Sequence, residues 1–334
     1  MRRYDVTIIG GGPAGLYAAF YCGMRALKTE LIEANSELGG LITYFYPEKT
    51  IYDVGGMPHI KGDALVRELA AQAQTFRPTI IRGQKISGLE SLTGGGFRLI
   101  AESGECHETR KIILAIGGGI FRPNKLQLAE APSFEGISLF YRVRRLQTFA
   151  GKTVVISGGG NGALDWAVEL APICREVTVV YRGTEFKRVL ESTLQRAERC
   201  GVRLKRQTEI VALSGAGGQL RRMTLHNRAT GGEESVAAEA LIVDHGSQFA
   251  LGGLEDWGLT IENGGIVVDR RMETTRSGIF AVGNAAVYPH KLYLIAAAFV
   301  ESAVAVNSIK QDLDPQAAPQ AMVSTHHRFF LQQH

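Results

Sequence analysis

Gly10-Gly11-Gly12-Pro13-Ala14-Gly15 follows the apolar run Val6 to Ile9 and leads into a second apolar stretch, so it sits where a strand turns into a helix. The six residues contain Gly-x-Gly-x-x-Gly. In that pattern the first glycine (Gly10) permits the tight turn, the second (Gly12) lets a pyrophosphate reach the backbone, and the third (Gly15) lets helix pack on strand. The helix start, with Pro13 and Ala14, then faces the phosphates with free N–H groups and the positive end of its dipole. A helix through Leu16 to Ala26 and a strand ending in Glu33 complete a βαβ unit. Glu33, 18 residues beyond Gly15, stands where a carboxylate accepts hydrogen bonds from an adenosine ribose. A chance glycine turn followed by a surface glutamate is the bland alternative, and the joint spacing argues against it.

The same grammar returns later. Lys152 to Ser157 reads as a strand, Gly158 to Gly160 as a turn, Ala163 to Leu170 as a helix and Val177 to Tyr181 as the next strand. Ala163 replaces the third glycine, and the second strand ends in Tyr181-Arg182 with no acid. A carboxylate there would repel a 2′-phosphate whereas an arginine pairs with it, so NADP is preferred over NAD. One charged hydrogen bond contributes about 1.5 to 3 kcal/mol. The nucleotide contacts expected in this copy are Gly158, Gly160, Asn161, Ala163, Arg182 and Arg188, with Lys187 assisting. Two nucleotide folds in one chain suggest a relay, in which the first holds FAD: a flavin accepts a hydride from NADPH and releases electrons singly. That chemistry needs no acid–base triad, and none is read.

Working outward, 334 residues suffice for two domains. Asp63 reads as the N-cap of an amphipathic helix to Phe76 that buries Leu65, Val66 and Leu69, and strand-rich text runs from Ile80 to Ile116. Gly278 to Gly283 is a buried strand and turn, and a helix from about Leu292 to Ile309 closes the first domain. The fold class expected is α/β, two Rossmann-like dinucleotide-binding domains of three-layer ββα type, the second inserted into the first. Residues 1–117 and 246–334 form the FAD domain, with a tail from about 312, and residues 118–245 the NADP domain. The apolar share of 45% and charged share of 21% are globular, and 40 glycines exceed the usual share of roughly 7%. A net charge of +4 is too mild for nucleic acid. Cys22, Cys106, Cys174 and Cys200 form no Cys-x-x-Cys, so neither zinc nor a local redox pair is written, and a cytoplasmic chain fits. The first residues lead into a strand rather than a signal peptide, and the longest apolar stretch, Leu292 to Val300, is half a membrane span.

These residues resemble the ferredoxin (or flavodoxin)–NADP+ oxidoreductases of thioredoxin-reductase type over nearly the whole chain. The resemblance rests on Ile9 to Gly15, Tyr46-Pro47-Glu48-Lys49, Ile51-Tyr52-Asp53-Val54, Phe149-Ala150-Gly151-Lys152 and Asp165-Trp166-Ala167. Thioredoxin reductases proper carry a Cys-x-x-Cys where this chain has Leu139-Phe140-Tyr141-Arg142. The resemblance implies a homodimer in which Glu33 holds the ribose, Ile86 borders the adenine, Tyr46 stacks on a flavin face and Phe121 lies near the interdomain crossing. It also implies that Gly40, Gly283 and, from the tail, Thr325 border the flavin.

Five positions depart from the family pattern. Asn284 stands where an Asp is usual and keeps an acceptor without the charge, at about 1 kcal/mol. Leu41 replaces a glutamine, Gly183 an arginine, and Asn161-Gly162 an Asp-Ser pair. Val323 stands where the family places an aromatic ring that covers the second flavin face from the partner subunit; a valine cannot stack, so either the flavin is more open or His326, His327 or Phe329 covers it after a shift of register. The sequence is compatible with three readings: an enzyme passing electrons between NADPH and an acidic one-electron carrier, ferredoxin or flavodoxin; a thioredoxin-reductase-like flavoprotein with lost or weakened NADPH use, fed by another donor or binding a different nucleotide in the second fold; and a non-catalytic flavin-binding protein. Arg142, Arg144, Arg145 and the run Arg203, Lys205, Arg206 are candidates to receive an acidic carrier.

Overall fold

A computed structural model of the chain describes residues 3–332 apart from Arg188 and Leu251, and all but the side chains of Ile120 and Phe249. The chain divides into two compact units, Met1–Ile120 with Phe249–His334, and Phe121–Gln248. The second unit is therefore inserted into the first.

In the first unit β1 (Arg3–Ile9) leads through the glycine turn to α1 (Pro13–Met24) and β2 (Thr29–Glu33). A short α2 (Leu41–Phe45) and a longer α3 (Gly62–Gln74) precede β3 (Thr79–Arg82), β4 (Ile86–Ser91), β5 (Phe97–Ala101) and β6 (Cys106–Leu114). β1 is flanked by β2 and β6 in parallel register, which buries Val6, Thr7, Ile8 and Ile9 on both faces, as expected of a central parallel strand. The meander β4–β5–β6 continues this sheet in antiparallel register; across β1, His107 of β6 reaches Glu30 of β2 (Nδ1 to Oε1, 3.2 Å), while Thr7 Oγ1 donates to the same carboxylate at 3.3 Å.

Asp63 is not the N-cap of α3. The N–H groups of Gly62 and Asp63 are taken by the carbonyls of Lys49 (3.0 Å) and Pro47 (2.7 Å), so the helix starts earlier, with Lys61 at the cap and Asp63 in the first turn. Leu65 and Leu69 are buried as expected, and Val66 only half so.

The second unit repeats the plan. β7 (Leu139–Phe140), β8 (Thr153–Ser157), β9 (Glu176–Tyr181) and β10 (Arg203–Arg206) lie in one parallel sheet, with α4 (Asn161–Leu170) after β8 and α5 (Glu191–Arg199) after β9. A meander of β11 (Thr208–Ala216), β12 (Gln219–Asn227) and β13 (Glu233–Ala237) follows, and β14 (Ala240–Val243) returns to the sheet between β7 and β8. Alternating residues of the strands feed two cores. Val154 and Ile156 pack with Leu164 and Ala167 of α4, while Val155 packs with Leu213 and Leu225 of the meander. That is the three-layer arrangement.

The chain then re-enters the first unit, where β15 (Ile279–Ala281) pairs in parallel with β6 and α6 (Ile295–Leu313) packs along α1. α6 starts later than Leu292 and runs past Ile309. Its last turn is clamped by Asp312, which accepts from Lys111 Nζ at 2.9 Å and from Arg271. The stretch beyond docks on its own unit. Arg25 donates to Ala318 O (2.6 Å), His327 Nε2 lies 3.2 Å from Met24 O, and the Phe76 ring meets those of His327, Phe329 and Phe330. Among the described residues no helix is long and apolar enough to cross a membrane.

Candidate functional site

The first site is assembled at the start of α1. Gly10 has φ +108°, and a Cβ there would strike Ala115 O; one at Gly15 would strike Gly10 O, so the helix can pack this close to the strand only without it. Gly12 caps α1 with no side-chain hydrogen bond, which leaves the first-turn N–H groups facing outward with the positive end of the dipole. Glu33, buried at the end of β2, is fixed from two sides. Its Oε2 accepts from Gly11 N–H at 2.6 Å, and its Oε1 from the backbone and side-chain N–H groups of Asn35 at 2.7 and 2.8 Å. The carboxylate lone pairs left over are acceptors held beside the phosphate-binding turn.

A second loop closes on this turn. Gly39 N–H donates to Gly11 O (2.8 Å), and a Cβ on Gly40, whose φ is +56°, would lie 3.2 Å from Gly12 Cα. Two bare stretches of backbone thus face each other, with α2 beginning at Leu41 and followed by Tyr46, whose hydroxyl is held above its ordinary pKa by burial and by Asp53. From the third side, Gln84 N–H donates to Glu33 O (3.0 Å), which brings Ile86, two residues on, to the rim. From the fourth, a Cβ on Gly283 would sit 3.0 Å from Ala14 Cβ, placing the exposed Asn284 at the head of α1.

One part of this site escapes a reading of the sequence. Beneath the Gly283-Asn284 turn lies a buried cluster in which Glu301 of α6 accepts from Gly283 N–H (2.7 Å) and Tyr288 OH (2.7 Å) and pairs with Lys291, which also donates to Gly283 O (2.9 Å). The signal available was a lone acid inside the apolar run Leu292 to Val306.

Not every expected residue gathers here. Thr325 belongs to the docked tail near His327, at the Met24 end of α1 and about 18 Å of helix from the glycine turn. The rings of His327 and Phe329 are engaged with Phe76 at that same end, and His326 is exposed. Phe121 opens the second unit.

The second site repeats the first with different chemistry. Gly160 caps α4 without a side-chain bond, and nothing lies within 4 Å of a Cβ built there. Ala163 is fully buried, and its Cβ would lie 3.0 Å from one on Gly158, so alanine is accommodated at the third position of the fingerprint. Asn161 Oδ1 accepts from Leu190 N–H at 3.0 Å, and thereby ties the loop after β9 to the phosphate-binding turn. Arg182 is exposed at the carboxyl end of β9, and Ser157 Oγ lies 2.8 Å from His245 Nε2 beside the turn. Arg188 lies outside the described residues. Both cradles fit a dinucleotide: open backbone at a helix start, a fixed carboxylate in one and a cation in the other. Among the described residues no cluster could hold a metal ion, and the four cysteines are free and separate.

Comparison with known proteins gives consistent results. Residues 4–311 match the family described as pyridine nucleotide-disulphide oxidoreductase. The chain is 47% identical to ferredoxin–NADP reductase 1 of Bacillus velezensis over 99% of this chain and 98% of that protein, and 43% identical to ferredoxin–NADP reductase 1 of Listeria welshimeri over 98% of each. In fold it is similar to the thioredoxin reductase of T. acidophilum, at 22% identity, with a TM-score of 0.76 over 94% of this chain and 99% of that one.

Proposed function

We propose, from the premise that the chain belongs to the pyridine nucleotide-disulphide oxidoreductases and within them to the ferredoxin–NADP reductases of thioredoxin-reductase type, that it passes electrons between NADPH and a one-electron carrier through FAD. The observation that carries this is the pair of glycine cradles with opposite chemistry, Glu33 beside one and Arg182 beside the other. FAD, when bound, supplies the hydride-accepting and electron-splitting chemistry that side chains do not.

The chain's own residues bind and orient. The first turn of α1, from Gly10 and Gly12 through Pro13, Ala14 and Gly15, holds the FAD pyrophosphate, and Glu33 accepts from the adenosine ribose. Ile86 borders the adenine; Gly40, Leu41 and Gly283 offer close backbone, Asn284 an amide acceptor, and Tyr46 and Phe121 rings for the flavin. Gly158, Gly160, Asn161 and Ala163 hold NADPH, with Arg182 and Arg188 on its 2′-phosphate. The chain has Leu139-Phe140-Tyr141-Arg142 in place of a Cys-x-x-Cys, so this reading puts no dithiol relay between flavin and carrier.

A homodimer is supported by apolar side chains exposed on the first unit, among them Tyr52 (72% exposed), Leu292 (62%), Tyr293 (60%) and Val300 (65%). In it Thr325 would serve the flavin of the partner, since it stands away from its own. Free thiols are in keeping with a reducing, cytoplasmic setting. The basic side chains proposed to meet an acidic ferredoxin or flavodoxin are Arg142, Arg144 and Arg145 with the run Arg203, Lys205 and Arg206, of which Arg203 and Lys205 are paired within this chain with Glu176 and Glu234.

The test is anaerobic titration of the yellow protein with NADPH and separately NADH, following the flavin's visible absorbance. Rapid bleaching by NADPH and much weaker bleaching by NADH is expected, and Arg182→Ala should narrow that difference. No bleaching by either, with dithionite still effective, would overturn the NADPH assignment.

A further inference from the structure

β9 and β10 are neighbouring parallel strands whose final residues, Tyr181 and Arg206, are register partners. Their carboxyl ends are the end of an open α/β sheet where ligands bind. Gln207 N–H donates to Gly183 O at 2.9 Å and staples the two strand ends together. Phe186, buried, folds back onto Tyr181, with ring centroids 5.0 Å apart and planes 24° from parallel, and the Arg206 guanidinium carbon lies 5.4 Å from the Phe186 centroid. A flat guanidinium against an aromatic ring is pre-oriented, with its N–H groups left free at the edge.

Charge pairing sets Arg206 apart from its neighbours. On the same strands Arg203 pairs with Glu176 at 2.6 Å and Lys205 with Glu234. Arg182 and Arg206 have no carboxylate within ion-pair distance among the described residues, so the guanidinium groups at the ends of these two neighbouring strands lack a protein counter-charge there. The position after Arg182 cannot supply a cation. A Cβ on Gly183 would lie 2.5 Å from Tyr181 Cζ, and one on Gly159 would strike the same ring, so the tyrosine occupies the space between two glycines.

We infer that Arg206, propped against Phe186, is a further cation for the adenosine 2′-phosphate beside Arg182 and Arg188, and contributes to the preference for NADPH over NADH. This rests on the assignment of NADPH to the second unit. Arg206 is exposed and meets the core through the face of Phe186, a contact that the apolar side chain of Arg206→Met can keep, so the substitution leaves the fold intact.

The test is calorimetric titration of the intact FAD-loaded protein with 2′,5′-ADP and with 5′-AMP, which differ by the phosphate in question. In Arg206→Met, affinity for 2′,5′-ADP should fall about tenfold, the loss of one charged contact, while 5′-AMP binding stays unchanged. The salt dependence of 2′,5′-ADP binding should weaken in parallel, and Arg206→Lys should recover part of the loss. Unchanged 2′,5′-ADP affinity in Arg206→Met, or an equal loss for both ligands, overturns the role of Arg206 while NADPH binding stands. If the parent protein itself fails to prefer 2′,5′-ADP, the NADPH assignment falls and this inference with it.

Discussion

A methyl group at residue 15 would collide with the carbonyl oxygen of Gly10, and neither partner is a flexible side-chain end. Gly15→Ala should therefore cost on the order of 3 kcal/mol and yield colourless or insoluble protein, read by flavin absorbance and urea unfolding. Glu33→Gln keeps the shape but not the charge and should weaken FAD about tenfold in an apoprotein reconstitution titration. Such positions were legible in the sequence because the motif's spacing encodes backbone geometry. The Glu301–Lys291–Tyr288 cluster was not, because a glutamate and a lysine read locally as solvent-facing residues and only the packing of α6 buries them. Glu301→Gln leaves Lys291 buried and uncompensated, and should destabilise by about 3 to 5 kcal/mol in denaturant titration. The thiols separate in the same way. Burial pushes Cys22 up to about 12 and Cys174 up to about 11, whereas Cys200 is exposed. Mass spectrometry after brief maleimide treatment at pH 8 should find Cys200 modified before either.

At the level of elements, hydrophobic period located strands and helices, and side-chain contacts from distant sequence moved their ends. α6 begins three residues later than expected, which leaves Leu292 and Tyr293 exposed, and extends to Leu313 because Lys111 and Arg271 hold Asp312 in its last turn. Burial acts to raise the Asp312 carboxyl, but hydrogen bonds from Lys111 and Arg271 outweigh it and hold the group below its usual range. A carboxylate depressed on folding contributes stability that is present above the unfolded pKa of about 3.9 and is lost as pH falls through the lower folded value. Asp312→Asn should thus unfold earlier by about 1 kcal/mol at pH 7, and its difference from the parent should shrink below about pH 4 in thermal melts. The tail reads as irregular on composition, because its anchor is one aromatic cluster around Phe76 with no periodic pattern behind it.

For the whole molecule, the insertion of one nucleotide fold in another was visible as a repeated grammar, while the placement of Thr325 was not, since nothing local says on which end of α1 a tail will settle. With the exposed apolar side chains Leu292 and Tyr293 as part of the proposed dimer contact, Tyr293→Asp should halve the mass in light scattering and loosen FAD. Discontinuity of the first unit has a further effect, felt during synthesis. Ile112 to Leu114 are flanked by β1 on one side and by β15 on the other, and β15 leaves the ribosome roughly 165 residues later. At about 5 to 20 residues per second, that apolar strand edge stays open for about 8 to 33 s in every nascent chain. A flavin cradle that is half translated is therefore a sticky one, and slowing elongation within the inserted unit should send more of the product to chaperones than slowing it elsewhere.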